Sequence, residues 1–283
     1  MVPHAKVSDV KTVIAKNWAI PELFQRIVSG TATLQDHDCL VTNMNADEDS
    51  LHITMILSME SAQQDLASGK RERQFLALQS LGQLGKKAGP DAITAVAACL
   101  EDTDRDVRCG AARVLPQLAE KGDQRAIIAV VSRLEHGNRE VRATAVRVLA
   151  QLAEKGDQLA VTAVVASLED RDKGVRCAAL NTLMELAERD DQHAVAAVAA
   201  CFADTDRAVR RAAVRVLAQL AEEKGYQHAV TAVTARLEHG DWEVRRAAVN
   251  ALTELAERGN RHAIIAVAAR LEEAFHHCDA CAP

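Results

Sequence analysis

The sequence predicts a mainly α-helical chain that grows as a right-handed solenoid of two-helix units. Three observations carry that expectation. The stretch at 122–155, GDQRAIIAVVSRLEHGNREVRATAVRVLAQLAEK, returns at 156–189, 190–224 and 225–258 and is anticipated at 88–121. Its period is 34 residues, with one longer copy where Glu222-Glu223-Lys224 replaces the usual Glu-Lys, and a period in this range marks a stacked array. The chain is 48% hydrophobic but only 2% aromatic, so Ala, Val, Ile and Leu must build its core, which suits small, closely packed helices. Within each copy the apolar residues fall in two runs of helical spacing.

Residues 1–57 lie outside the repeat. Val7, Val10, Val13 and Ile14 predict a short amphipathic helix that starts near Ser8 or Asp9. Ile20-Pro21 should end it, because proline disfavours the α conformation in the residue before it. Phe24–Val28 reads as a short strand, Gly30 as a turn, and Leu51–Ile56 as a second, alternating strand. The order VSDVKTVI, IPELFQRIVSG, Leu34, Asp36, Leu40 and SLHITMIL resembles ubiquitin-like domains over residues 7–57. The resemblance implies a small α+β β-grasp. This sequence departs from it in two ways: only MVPHAK stands where the family has its first β-hairpin, and no diglycine tail follows Leu57. The first departure leaves one sheet edge unpaired, and such edges recruit partners; the second argues against conjugation. The family's recognition patch maps onto Val28, His52 and Thr54, with Thr54 weakening its apolar character.

Ser58–Gly69 is polar, with room for one short helix, and residues 58–70 are expected to be a linker. Arg71–Lys86 aligns with the second helix of a copy: Leu81 and Leu84 fall where Leu115 and Leu118 fall later. Residues 71–87 therefore read as an N-terminal half-copy. Gly82 and Gly85-Lys86 lack the spacing and the following Ser or Thr of a phosphate loop.

In the repeat, 126–134 predicts a first helix and 140–155 a second, with Val141, Ala145, Val148, Leu149 and Leu152 on one side. A column of Asp104, Asn138, Asp172, Asp206 and Asp241 precedes the second helices, where short oxygen-bearing side chains cap orphan N–H groups. Gly156 and Gly225 occupy inter-copy turns, where glycine often ends a helix. Pro116 falls inside a second helix and should kink it. Alanines at 111, 145, 179, 213 and 248 allow close approach, and leucines at 115, 149, 183, 217 and 252 fill the space between. One such hairpin cannot hide its own apolar face, so copies must stack. The motif L-E-D-x-D-x-x-V-R at 100–108, with the Ala and Leu columns, resembles HEAT-like repeats over 71–275, especially the short phycobilisome-lyase type. That resemblance implies a ladder of turn Asp and helix Arg. Arg108, Arg142, Arg176, Arg210 and Arg245 match the Arg; Asp102, Asp170 and Asp204 match the Asp. His136 and His239 replace the Asp in two copies, where the ladder should weaken. Tetratricopeptide and ankyrin signatures are missing. The array is thus expected to span 71–283, ending in a partial copy at 259–283 whose Ile264, Val267 and Leu271 lack cover, so that the chain is either a fragment or associates end to end.

For function the residues favour a protein-binding scaffold. The resemblance places the second helices on a concave, partner-binding face. Arg113, Arg147, Arg211, Arg215 and Arg246 would form a strip there that grips an acidic or phosphorylated segment, beside Trp242, an aromatic anchor in an intra-repeat turn. Net charge of −6 gives no reason to expect nucleic acid, and no apolar run suggests a membrane span, so a cytoplasmic protein with reduced thiols is expected. No catalytic constellation and no cofactor motif appears. His193, His228 and His262 share a column spaced too widely for a metal cage. The one zinc candidate is His276, His277, Cys278 and Cys281, ligand types that bind zinc but lie beyond the last copy. The resemblances leave two alternatives: a phycobilin-lyase-like chromophore-binding enzyme or chaperone, and a ubiquitin-pathway adaptor.

Overall fold

The structure is a computed structural model and describes residues 5–29, 32–40, 53–189, 191–220, 226–257, 264–265 and 268. The chain divides into two compact units, Met1–Ala129 and Val130–Pro283.

The first unit begins with helix α1, Val7–Trp18, which buries Val7 and Ile14. Asp9 reaches back to accept the Lys6 N–H at 2.8 Å, occupying a donor the helix start would leave unpaired. The helix stops at Trp18 and Ala19 takes a left-handed conformation (φ 53°); Ile20, before Pro21, is then disfavoured in the α conformation. Strands β1 (Gln25–Ser29), β2 (Ala32–Thr33) and β3 (Thr54–Leu57) follow. The sheet order is β2-β1-β3, and both pairings of β1 are antiparallel. The expected second strand thus ends one residue later, at Leu57, while Leu51 and His52 lie outside the described residues. Val7, Ile14, Ile27, Leu34 and Leu40 form the core between helix and sheet. Two polar ties lock it. Buried Gln25 donates from Nε2 to the carbonyls of Lys11 (2.9 Å) and Ile20 (2.7 Å), and Lys11 pairs with Asp36 at 2.6 Å.

Within residues 58–70, the expected linker, the chain forms α2, Glu60–Ala67. Its Ala62 and Leu66 are buried and it packs on α3, Arg71–Leu84. Gln74 of α3 donates to the Leu66 carbonyl at 2.9 Å. α2 and α3 thus pack as a helical pair ahead of the copy at 88–121. The apolar stripe of α2 is only two residues, four apart, and a polar composition conceals it. The next pair is α4 (Pro90–Ala98) and α5 (Arg105–Leu118). Pro116 sits in the last turn of α5, which keeps the 14 residues of its counterparts.

The division between units falls inside α6, Gln124–Val131. After it come α7 (Arg139–Leu152), α8 (Gln158–Ala166), α9 (Lys173–Leu186), α10 (Gln192–Ala200), α11 (Arg207–Leu220), α12 (Tyr226–Thr234) and α13 (Trp242–Glu257). In the second unit α7, α9, α11 and α13 pack in series, and α8, α10 and α12 run beside them. The alanines at 145, 179, 213 and 248 and the leucines at 149, 183, 217 and 252 are all buried at these contacts. The capping column is filled as expected. Asp172 Oδ1, for example, accepts from Gly174 and Val175, and Asn138 from Glu140. First helices carry caps too: Asp123, Asp157 and Asp191 each accept N–H bonds, which starts α6 two residues earlier than expected.

Second helices end earlier than expected, at Leu152 and not 155. Gly156 lies beyond that end, at φ 83°, a conformation glycine adopts without steric cost. Its N–H donates at 2.7 Å to the Leu186 carbonyl at the end of α9. The glycine thus stitches one copy to the next; it does not cap its own helix. Gly225 lies outside the described residues.

The Arg–Asp ladder is an inter-copy device. Arg142 grips Asp170 of the next copy with two bonds, 2.6 and 2.8 Å, and Arg176 grips Asp204 at 2.6 and 2.9 Å. The remaining nitrogen of each Arg donates to turn carbonyls of its own copy, such as His136 for Arg142 and Asp170 for Arg176. Where His replaces Asp, half the role survives. His239 Nδ1 accepts the Asp241 N–H at 3.1 Å, as Asp170 accepts that of Asp172 at 2.8 Å. An imidazole offers no carboxylate to the preceding copy, and Arg210 pairs with Glu243 instead. In the first unit Gln74 stands in the Arg column and donates to Asp102 at 2.7 Å.

Two outcomes follow from this packing. Leu149→Ala removes a fully buried side chain and should cost about 2–5 kcal/mol in urea melts. Asp170→Asn leaves Arg142 buried without its counter-charge and should cost about 3–5 kcal/mol at neutral pH. Burial alone would raise the Asp170 carboxyl, but its bonds from Arg142 and the Asp172 N–H outweigh that and hold it below the usual range. The wild-type advantage is therefore complete above about pH 4 and disappears as pH falls through the depressed value. Melts of both proteins across that window should converge.

Candidate partner-binding grooves

Grooves open between neighbouring second helices, beside the narrow contacting stripe of Ala and Leu. Between α3 and α5 the groove is ≈ 370 Å³, lined by Phe75, Gly82, Gly110 and Arg113 among others. Gly110 allows a close approach here, since a Cβ would lie 3.1 Å from Leu78 Cδ1. In the second unit, the α7/α9 groove (≈ 440 Å³) holds Arg147, Cys177, Asn181 and Glu185. The α11/α13 groove is the largest of the three, ≈ 670 Å³, and brings together Arg207, Arg211, Arg215 and Arg246 with Glu243 and Glu254.

The expected arginines are thus all exposed on second helices, but in separate settings. Arg113 belongs to the first unit. Arg147 turns back to Thr144, donating at 3.1 Å. Arg215 donates to Asn181 Oδ1 of α9 at 3.2 Å, which ties α11 to the second helix before it. Arg246 lies 3.6 Å from Glu243, and its guanidinium stands 4.6 Å from the centroid of the Trp242 ring. Trp242, 55% exposed at the start of α13, stacks on its own helix while presenting its other face to solvent. Glu243 is the residue the sequence reading passed over. It lines the groove and pairs with both Arg210 and Arg246. Its signal was the His at 239, which deprives Arg210 of its usual acid.

Of the β-sheet candidates, Val28 and Thr54 are direct cross-strand partners on β1 and β3, while His52 lies outside the described residues. So do His276, His277, Cys278 and Cys281, together with Val267 and Leu271; Ile264 is exposed. Among the described residues no group of His, Cys, Asp or Glu is placed to hold a metal ion, and no helix is long and apolar enough to cross a membrane.

Stacked helical pairs joined by a buried Arg–Asp rung agree with the comparison to known families. The family model for HEAT repeats matches residues 64–150, 127–218 and 195–279. The chain belongs to the HEAT-repeat family. Solved structures similar to it include a designed armadillo repeat protein in complex with the peptide (KR)4, at 19% identity, covering 70% of this chain and 99% of that one with a TM-score of 0.43. An engineered protein matches at 21% identity over 71% and 99% of the two chains, TM-score 0.44, and another at 25% over 74% and 60%, TM-score 0.42. No curated protein matches the chain.

Within this HEAT array α11 is electrostatically distinct. Three of its first five residues are Arg207, Arg210 and Arg211, and no acid lies in its first turn; α9 also lacks one, whereas α5, α7 and α13 each carry one there. Positive side chains at a helix N-terminus oppose the macrodipole, at about 0.3–1 kcal/mol for a charge near the surface. The Arg207 and Arg211 side chains form no ion pair among the described residues.

The thiols are subdued. Burial, and then Asp102, pushes Cys99 up to about 11; burial, and then Asp204, does the same for Cys201. Cys177 is also raised, by burial and then by Asp206 and Asp204, which outweigh the Arg176 beside it. The arginine neighbours therefore do not activate it. Alkylation of the native protein near pH 8 should label exposed Cys109 well before Cys99 and Cys201, and denaturant should abolish the difference.

Proposed function

We propose that this HEAT-repeat chain is a binding module for protein partners, which seats an acidic segment of a partner in the α11/α13 groove. The observation that supports the reading is the set of exposed arginines at 207, 211, 215 and 246, in excess over Glu243 and Glu254, on a chain whose net charge is −6. Solvating a helix would require no such local excess, and the ladder uses Arg210 alone of the α11 set. Guanidinium groups favour carboxylate and phosphate through paired N–H bonds. Trp242, held against Arg246, supplies an apolar anchor at the rim.

Residues 1–57 are read as a ubiquitin-like remnant attached to the array, with Val28 and Thr54 on its recognition face. Support comes from the β1-centred sheet under α1. On this reading the chain links a ubiquitin-type surface to a cargo-binding array, as an adaptor in the cytoplasm.

A fluorescently labelled Asp/Glu-rich peptide pool tests the groove. The combined substitution Arg211→Glu, Arg215→Glu and Arg246→Glu should weaken binding about tenfold or more, equivalent to about 1.4 kcal/mol, and flatten its salt dependence. Thermal stability should change little, since none of the three belongs to the buried ladder. Equal binding by both proteins would discard the groove as the contact.

A further inference from the structure

We infer that the α11/α13 groove is a phosphate-recognising site for a phosphorylated peptide and that Glu243 sets its discrimination against simple carboxylates; this rests on the acidic-segment reading above. The groove is lined by five arginines against two glutamates, leaving three positive charges in excess. One aspartate or glutamate of a partner would neutralise a single charge, whereas a phosphoserine brings −1.5 to −2 with three acceptor oxygens. Arg207, Arg211 and Arg215 follow one another at intervals of four along α11, so one helix face presents all three, and Arg246 approaches from α13 across the groove.

Glu243 occupies the same ground. Its carboxylate already pairs with Arg210 and lies 3.6 Å from Arg246, so an incoming ligand competes with an internal carboxylate for Arg246. A monoanion offers Arg246 nothing that Glu243 does not already provide. A dianion offers more charge and more acceptors, and engages Arg207 and Arg211 as well, which form no ion pair among the described residues. Arg246 is also held against Trp242 at 4.6 Å, so its displacement alters the indole environment. A nucleic acid is the weaker fit, because backbone recognition draws on many phosphates along an extended basic surface and the chain as a whole is acidic.

The test uses the full chain and a degenerate peptide pool with a fixed central phosphoserine, compared with the same pool bearing Glu or unmodified Ser at that position. The phosphoserine pool should bind roughly tenfold more tightly than the Glu pool. In a Trp18→Phe background, which leaves Trp242 as the one tryptophan, its binding should change the indole emission. Glu243→Gln should strengthen the Glu pool and narrow the gap to about threefold or less, with Arg211→Ala/Arg215→Ala weakening both pools. Equal affinity for the phosphoserine and Glu pools would overturn the phosphate assignment and leave the acidic-segment reading standing. Binding of neither pool would remove both. A single-stranded RNA oligonucleotide that binds more tightly than the phosphoserine pool would overturn the peptide assignment, and an unchanged gap in Glu243→Gln would remove the role of Glu243.

Discussion

The contact between successive second helices governs the rest of the molecule. Alanines at 145, 179, 213 and 248 bring the backbones together, and leucines one turn further along fill the remaining space. No helical pair can bury this stripe against itself, so each copy depends on its neighbour for the apolar burial that stabilises it. The same narrow stripe leaves the flanks of neighbouring second helices apart. The grooves that hold the candidate site are therefore a by-product of the packing, and their chemistry is set by whichever exposed residue each copy places at the edge.

Hydrophobic contact is not directional, and a stripe of Ala and Leu would tolerate sliding. The buried Arg–Asp rung adds what the stripe lacks. Arg142 must satisfy turn carbonyls in its own copy and both oxygens of Asp170 in the next, which fixes the offset between copies. Gly156, donating to the end of α9, adds a second fixed point. Such an arrangement specifies register more than it adds stability, since two desolvated charges recover little beyond the cost of burying them.

Most of the array was legible because its information is periodic. Each of the Ala, Leu, capping and Arg columns repeats across the copies, so one reading was checked by the next. The parts that escaped were those where a single residue acts once. A short helix is expected within Ser58–Gly69, but its packing on α3 is not, because Ala62 and Leu66 form no repeating signal. The bond from the Gly156 N–H reaches the Leu186 carbonyl in another copy, which spacing along one chain cannot reveal. The arginine strip was visible as residue types. Its concentration into one groove depended on Glu243 and on the turn histidine at 239, whose joint effect appears only when α11 and α13 are placed side by side.

The substitution at His239 reaches beyond charge balance. At two seams of the second unit the rung ends on an aspartate that is almost closed to water, with side-chain exposures of 10% for Asp170 and 9% for Asp204; at the α11/α13 seam it ends on Glu243, at 28%. Water competes more effectively for the wetter pair. In a row held together only by nearest neighbours, separation under load begins at the least protected joint, so the α12–α13 pair would peel away from α10 and α11 while α7, α9 and α11 stay together. The joint that gives first is then also the wall of the arginine groove, and whatever fills that groove would act as a clasp across it.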